Sequence, residues 1–432
     1  MSSELRKRWV QAGVDFPESW KFVSFEELLR DSKSIAVGVM YPGPNTVGGV
    51  PLIKVGDVSG GFFSSVPKYC ISPDVNEEYK RTQLVGDELL ITLVGNPGEC
   101  VVVQQHMSGW NAARAIAVVR LADSSLRIYL KAVLESRACR HLIDAVLNTT
   151  VQKTLNLKDI RLLPIPMPPK QVIEAVSSFS DVVSDRVTLL RETNATLETI
   201  AQALFKSWFV DFDPVRAKAQ GLEPEGMDTS TAELFPNSFE EFEQGAVPVG
   251  WKLQKVEDLI ELSYGKALKA TDRVDGPVPV YGSGGITGSH NESLVNGPSV
   301  IVGRKGTVGS LFWEDRPFFP IDTVFYVRTD KPLTYCYYLL KTLGLEGMNT
   351  DGAVPGLNRN NVYRLPVVVA PKSVLESFDE IVFSLREKIF SNNQLAQTLT
   401  QLRDTLLPRL ISGQLRLPEA AAATEKILSE AI

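Results

Sequence analysis

Gly303-Arg304-Lys305-Gly306-Thr307-Val308-Gly309 is the stretch whose residue types are best suited to holding an anion. Two cations beside a hydroxyl could face a phosphate or a guanine edge, and the glycines would allow close backbone approach. A solvated β-turn is the other reading of the same stretch. Its counterpart earlier in the chain, Gly95-Asn96-Pro97-Gly98-Glu99, also follows a strand-like run but keeps Asn96 and no cation. Lys266, Lys269 and Arg273 could line the same face as Arg304, Lys305 and Thr307; Lys54, Arg81, Arg114 and Lys153 could line the matching face of the first half. Each of these cations, taken singly, is more often a surface charge than a contact.

Patterns for bond-making chemistry are scarce. The chain has no G-x-x-x-x-G-K-[ST] phosphate loop, no H-E-x-x-H and no G-x-S-x-G elbow. His106, His141 and His290 stand apart in sequence, and Cys70, Cys100, Cys139 and Cys336 form no C-x-x-C pair. No metal site, no cofactor and a reducing cytoplasm are therefore expected. Gly282-Ser283-Gly284-Gly285-Ile286-Thr287-Gly288 superficially resembles a nucleotide-binding loop but lacks a strand-to-helix setting, so a flexible loop is expected there. Asn96-Pro97-Gly98 is the nearest approach to the Asn/Asp-Pro-Pro-aromatic tetrad with which amino-methylating enzymes hold a base, and its glycine makes it a turn. The chain is not expected to be an enzyme in its own right.

The net charge of −6 over 432 residues argues at first against a nucleic-acid partner. The charge is uneven, however: residues 213–247 carry 2 lysines and arginines against 8 acids, whereas residues 1–168 carry 19 against 17 and residues 248–370 carry 13 against 12. The two large segments are near neutral, and only clustering of their cations could make a DNA-facing surface. No apolar run approaches the roughly 20 residues of a membrane span. Met1-Ser2-Ser3-Glu4-Leu5-Arg6-Lys7-Arg8-Trp9 has basic residues with no apolar segment behind them, so secretion is not expected.

The elements that must position these residues are duplicated. The run from Thr154-Leu155-Asn156 to Leu163-Pro164-Ile165-Pro166 returns 202 residues later as Gly356-Leu357-Asn358 to Leu365-Pro366-Val367-Val368, without a gap for about fifty residues. Pro17-Glu18-Ser19-Trp20-Lys21-Phe22 returns at an offset of 231 as Pro248-Val249-Gly250-Trp251-Lys252-Leu253. Two matches in the same order imply an internal repeat, with the first globular half longer in its loops. Short β-branched runs ending in Gly or Pro turns (88–94, 100–103, 299–302) alternate with helical stretches at 128–146 and 333–344, which gives a mixed α/β (α+β) class.

Residues 171–208 and 373–408 differ in kind: their apolar positions step by three and four, with Pro at the helix start. Each would form a helix of roughly 55 Å. The two wet stripes are remedied if the helices pair with each other, antiparallel because each follows an equivalent domain; packing of each helix on its own domain is the alternative. The expected domains are 1–168 and 248–370 (globular), 169–212 and 371–415 (helices), 213–247 (a polar connector) and 416–432 (a tail). At the end of the first helix stand Phe205, Trp208, Phe209 and Phe212. They would either dock a partner, as exposed aromatic clusters do, or pack against Leu406, Leu410 and the nearby domain.

The ordered repeat resembles the specificity subunits of type I restriction–modification systems. The resemblance rests on the run from Asn156 to Leu163-Pro164-Ile165-Pro166-Met167-Pro168-Pro169 and its copy from Asn358 to Leu365-Pro366, and on the helix ends Ala203-Leu204-Phe205-Lys206-Ser207-Trp208-Phe209-Val210-Asp211-Phe212-Asp213-Pro214 and Leu402-Arg403-Asp404-Thr405-Leu406-Leu407-Pro408-Arg409-Leu410-Ile411-Ser412-Gly413-Gln414-Leu415. It covers nearly the whole chain. It implies two target-recognition domains reading an asymmetric, two-part site on double-stranded DNA, with the helices as a spacer longer than one DNA turn of about 34 Å. It also implies assembly with two methyltransferase (modification) subunits and two restriction (ATP-dependent translocase and nuclease) subunits, to which methyl transfer and ATP hydrolysis would belong. A self-contained methyltransferase or nuclease, and a coiled-coil scaffold without a DNA role, are the rival readings.

Overall fold

The computed structural model describes residues 2–63, 67–147, 153–243, 245–350, 356–415, 419 and 422; the expected tail at 416–432 lies almost wholly outside them. In the first half, helix α1 (Ser2–Gln11) precedes strands β1 (Lys21–Ser24), β2 (Ile35–Val37), β3 (Val50–Ile53), β4 (Leu89–Thr92), β5 (Cys100–Val102) and β6 (Ile116–Val119), helices α2 (Arg127–Glu135) and α3 (Arg137–Asp144), strand β7 (Pro164–Met167) and the long helix α4 (Lys170–Phe209). In the second half, strands β8 (Lys252–Lys255), β9 (Glu261–Tyr264), β10 (Val278–Gly282), β11 (Gly285–His290), β12 (Ser299–Gly303), β13 (Leu311–Glu314) and β14 (Val324–Arg328) precede helix α5 (Leu333–Thr342), strand β15 (Pro366–Val369) and the second long helix α6 (Lys372–Ile411).

The duplication is visible bond by bond. Each half holds a four-stranded antiparallel sheet, β2-β6-β4-β5 in the first and β9-β14-β12-β13 in the second. In each, an antiparallel clasp joins the domain's start to the segment before its long helix: Lys21 lies opposite Met167, and Lys252 opposite Val369. The N–H of Phe25 donates to the Leu163 carbonyl at 2.9 Å, and that of Val256 to the Leu365 carbonyl at 3.1 Å. Tyr129 and Tyr335, both buried, donate their hydroxyls to the carbonyls of Pro166 and Val368. A continuous apolar run makes a strand covered on both faces, so β4 and β12 are buried at every position. The expected single helix at 128–146 is two, because Ser136 leaves the helical region (ψ 142°) and caps the second through the N–H of Cys139.

Two compact units divide the chain, residues 1–191 with 393–432, and residues 192–392. Each long helix, 40 residues and unbroken, is shared between them. In the first unit Val176, Phe179, Val183, Val187 and Leu190 of α4 share a core with Leu399, Leu406, Leu407 and Leu410 of α6. In the second, Ala201, Phe205, Trp208 and Phe209 share a core with Val374, Leu375, Phe378 and Val382. Early residues of one helix therefore meet late residues of the other, which is antiparallel pairing. The helix carries on through Pro408 to Ile411, since Leu407, Leu410 and Ile411 are buried beyond the proline. Each domain is also tied to the long helix of its own unit by charge. Glu135 of α2 meets Arg403 of α6 at 3.3 Å; Lys341 of α5 meets Glu198 of α4 at 2.5 Å, the same tie with the signs reversed.

Residues 213–247 are more than a polar connector. They form two short helices (Asp213–Ala219 and Thr229–Glu233) and the strands Phe239–Phe242 and Gly245–Pro248, and they bury Val215, Phe235 and Val247 in the second unit's core.

The free cysteines supply a check on these cores. Burial pushes the thiols of Cys139 and Cys336 up to about 12, and that of Cys100 higher still. Cys70 is half-buried. A thiolate is the reacting species, so a neutral-pH thiol titration of the native chain is expected to count only Cys70, and after denaturation all four; a second fast thiol would contradict the packing.

Candidate nucleic-acid interface

The stretch Gly303–Gly309 closes the β12–β13 connection, and its geometry is set from inside the protein. Gly309 has φ +73°, and a Cβ there would lie 2.3 Å from the Leu345 backbone. A Cβ on Gly303 would lie 2.2 Å from the Thr307 carbonyl. The glycines thus serve close approach between parts of the chain itself. The Gly309 N–H returns to the Gly303 carbonyl at 2.8 Å. Arg304 and Lys305 both donate their N–H groups to the Thr323 carbonyl, at 2.9 and 3.1 Å, and Lys266 donates its own to Pro320 at 3.0 Å. The Ser283 hydroxyl accepts the Thr307 N–H at 3.4 Å. Arg304, Lys305, Thr307 and Lys266 are thereby brought to one corner around residues 320–323. Lys305, Thr307 and Lys266 are exposed there.

The Arg304 side chain does not hang free. Its Nη1 donates to the Asp322 carbonyl at 3.0 Å, and its guanidinium carbon lies 4.8 Å from the ring centre of Tyr264 and 5.7 Å from that of Phe325. Tyr264 is 48% exposed, large for an aromatic, and a second guanidinium, that of Arg359, lies 4.9 Å from its ring. Neither Tyr264 nor Arg359 belongs to a recognisable motif in the sequence. The signal was available in the repeat: at an offset of 202, Arg359 stands where the first copy has Leu157.

The same corner exists in the first half with different chemistry. Leu93 donates to the Ala115 carbonyl at 2.8 Å and its own carbonyl accepts from Leu155 at 2.9 Å; Arg304 makes the matching pair with Thr323 and Leu357 at 2.9 and 2.8 Å. Gly38 and Gly265 play one role, since a Cβ on either would lie 1.9 Å from the Ala112 carbonyl or 2.1 Å from that of Ile321. Leu93 is buried where Arg304 emerges. The cations come instead from Arg114, exposed and equivalent to Asp322, and from Lys54, whose ammonium sits 3.2 Å from the Tyr69 ring centre. Lys54 and Arg114 line an open cleft of about 600 Å³ with Met40, Tyr41 and Val55. Lys153 is exposed next to Thr154, which bridges Val94 of this corner.

Other expected contacts lie elsewhere or are occupied. Arg81 donates to the Lys33 carbonyl at 2.6 Å, and Asn96 to the Glu99 carboxylate. Arg273 donates to the Thr287 carbonyl at 2.7 Å, and Lys269 is exposed at the start of the turn Ala270–Asp272. The Gly282–Gly288 stretch is not a flexible loop: β10 and β11 pair across a two-residue turn at Ser283-Gly284. Phe205, Trp208, Phe209 and Phe212 are only 2–9% exposed. Docking needs a reachable ring, and these rings instead meet Phe378, Trp251, Tyr335 and Phe235 of their own unit. Phe212, at a left-handed φ of 57°, sets its ring edge-on to that of Trp251 at 5.5 Å. Among the described residues no group of three or more His, Cys, Asp or Glu side chains could hold a metal ion, and no helix is long and apolar enough to cross a membrane.

Residues 248–398 match the type I restriction modification DNA specificity domain family. The chain is 26% identical to the type I restriction enzyme HindI specificity subunit of Haemophilus influenzae, over 92% of this chain and 99% of that one. It is 24% identical to the MjaIX specificity subunit of Methanocaldococcus jannaschii, over 62% and 63%. The crystal structure of the type I restriction–modification S subunit of M. genitalium shares the fold, with a TM-score of 0.51 at 17% identity over 92% of this chain and 98% of that one.

Proposed function

We propose, for a chain that belongs to the specificity subunits of type I restriction–modification systems, that each of its two units reads one part of an asymmetric, two-part duplex site. It is the recognition subunit of such a complex, and catalysis belongs to its partners. The observation that carries this reading is the repeated corner: one scaffold, built twice with the same backbone bonds, carries Lys266, Arg304 and Lys305 in one copy and Lys54 and Arg114 in the other. Copies that keep a scaffold and change its exposed polar set suit recognition of two different sequences. Two methyltransferase and two restriction subunits complete the assembly, which works in the cytoplasm. With the aromatic cluster buried, the methyltransferase subunits dock on apolar side chains that the long helices leave exposed, Val182 and Leu189 in the first unit and Ile200, Ile381 and Phe383 in the second.

Cells expressing this chain with its methyltransferase subunit are expected to carry methyl groups at a single two-part motif with unlike halves. The purified chain alone is expected to methylate nothing, and duplex binding by the complex to fall steeply with salt as phosphate counterions are released. Methylation by the chain alone would make it an enzyme. Assembly without any duplex binding would make it a scaffold.

A further inference from the structure

We infer that Arg304 reads a guanine in the part-site of the second unit, and that Tyr264 and Phe325 are the positioning residues that hold it ready. The inference rests on the recognition reading above and goes further, since it assigns a base and the residue that reads it.

The Arg304 guanidinium is fixed before any ligand arrives. One of its five N–H donors is taken by the Asp322 carbonyl at 3.0 Å, and its guanidinium carbon lies over the rings of Tyr264 and Phe325, 4.8 and 5.7 Å from their centres. Its backbone is fixed as well, N–H to Thr323 and carbonyl to Leu357. A fork held this way loses little side-chain freedom on binding. A fixed planar fork matches paired acceptors, whether on a base edge or on a phosphate, and the variants below tell the two apart. Guanine offers two such acceptors, O6 and N7, side by side in the major groove.

Charge points the same way. Arg304 and Arg359 lie 4.8 and 4.9 Å from one ring, and neither is in an ion pair among the described residues. The ring attracts both, yet the two cations repel each other, and among the described residues no carboxylate lies within ion-pair distance of either. An electron-rich ligand edge would.

Nor does the fold require this group. The first half makes the equivalent backbone bonds at the same corner with Leu93 in the place of Arg304, Leu157 in that of Arg359, Val37 in that of Tyr264 and Ala117 in that of Phe325. Four aliphatic side chains suffice to build it. The cations and rings of the second copy are additions, and the first part-site must be read by other residues.

The test uses the full chain in complex with its methyltransferase subunits, acting on a plasmid pool of random duplex sequence whose methylated sites are then sequenced. Arg304→Ala is expected to relax one G·C position of one part-site, lowering discrimination there by about 5- to 150-fold, with the other part-site and the gap unchanged. Arg304→Lys keeps the charge and loses the fork, so it is expected to relax the same position. Tyr264→Leu should relax that position alone, by less, which a purely structural defect would not do. If both Arg304 variants keep the full motif, the inference is overturned, whether binding is unchanged or falls equally on all sequences as for a phosphate contact. Loss of both part-sites in Arg304→Ala would mark misfolding, and Arg304→Lys then decides. A wild-type complex that methylates no defined motif would instead overturn the recognition reading itself.

Discussion

Replacing Phe209 by Ala is expected to destabilise the second unit by about 3–5 kcal/mol, the range for truncating a well-packed buried aromatic. Phe209 is 6% exposed, and its ring centre lies 5.1 Å from those of Phe205, Tyr335 and Phe378 and 5.9 Å from that of Trp251. These neighbours come from both long helices, from α5 and from the start of the second domain, so no single shift can fill the space left behind. Calorimetry should show a lowered melting transition, and hydrogen exchange should place the loss in residues 192–392, with α1 and the first sheet still protected. Phe209→Leu should cost much less. A Phe209→Ala chain that melts as the wild type does, yet no longer binds methyltransferase subunits, would return these rings to a docking role.

The contrast between those aromatics and the long helices shows what one-dimensional patterns convey. Steps of three and four placed α4 within a residue of its observed start and end, because helix periodicity and a Pro-marked start are local properties. The repeat was legible for a similar reason: two copies in one chain compare each other's residues, and the matched bonds at Phe25 and Val256 follow its offsets. Whether Phe205, Trp208 and Phe209 face solvent or a core was not legible, since the answer depends on Phe378 and Tyr335, more than a hundred residues away. The acidic stretch 213–247 misled through its average charge; Val215, Phe235 and Val247 are few among many polar residues, yet they fix the path of the segment.

The candidate site divides in the same way. Arg304, Lys305 and Thr307 stood out because glycines bracket them, although those glycines serve Leu345 and Thr307 rather than a ligand. Tyr264 reaches Arg304, and Arg359 reaches Tyr264, only through the pairing of β9 with β14 and the short helix Arg359–Tyr363 before β15. A sequence cannot show a register set by distant strands. Arg81 and Arg273 illustrate the converse, cations whose donors are already engaged by backbone carbonyls.

Inserting four residues into both long helices, after Arg191 and after Asn392, is expected to lengthen the unread gap in the methylated motif by one or two base pairs while both part-sites stay the same. Four residues add about 6 Å of helix, close to two steps of about 3.4 Å along a DNA strand. These two positions are matched. Glu198 pairs with Arg386, Asn194 with Asn392 and Phe205 with Phe378, so the midpoint of one helix faces that of the other. They are also the boundaries between the two units, so each unit keeps its internal contacts, among them the 2.8 Å bond from the Asn392 amide to Asn194. That amide pair specifies register, because sliding the helices would leave Asn392, 4% exposed, without its partner. For the same reason an insertion in one helix alone should disrupt pairing and abolish modification, where the double insertion restores it with a longer gap. Seven residues in both should add about three base pairs and keep the helix faces closer to their original direction. A changed part-site with an unchanged gap would mean that the helices do not set the spacing.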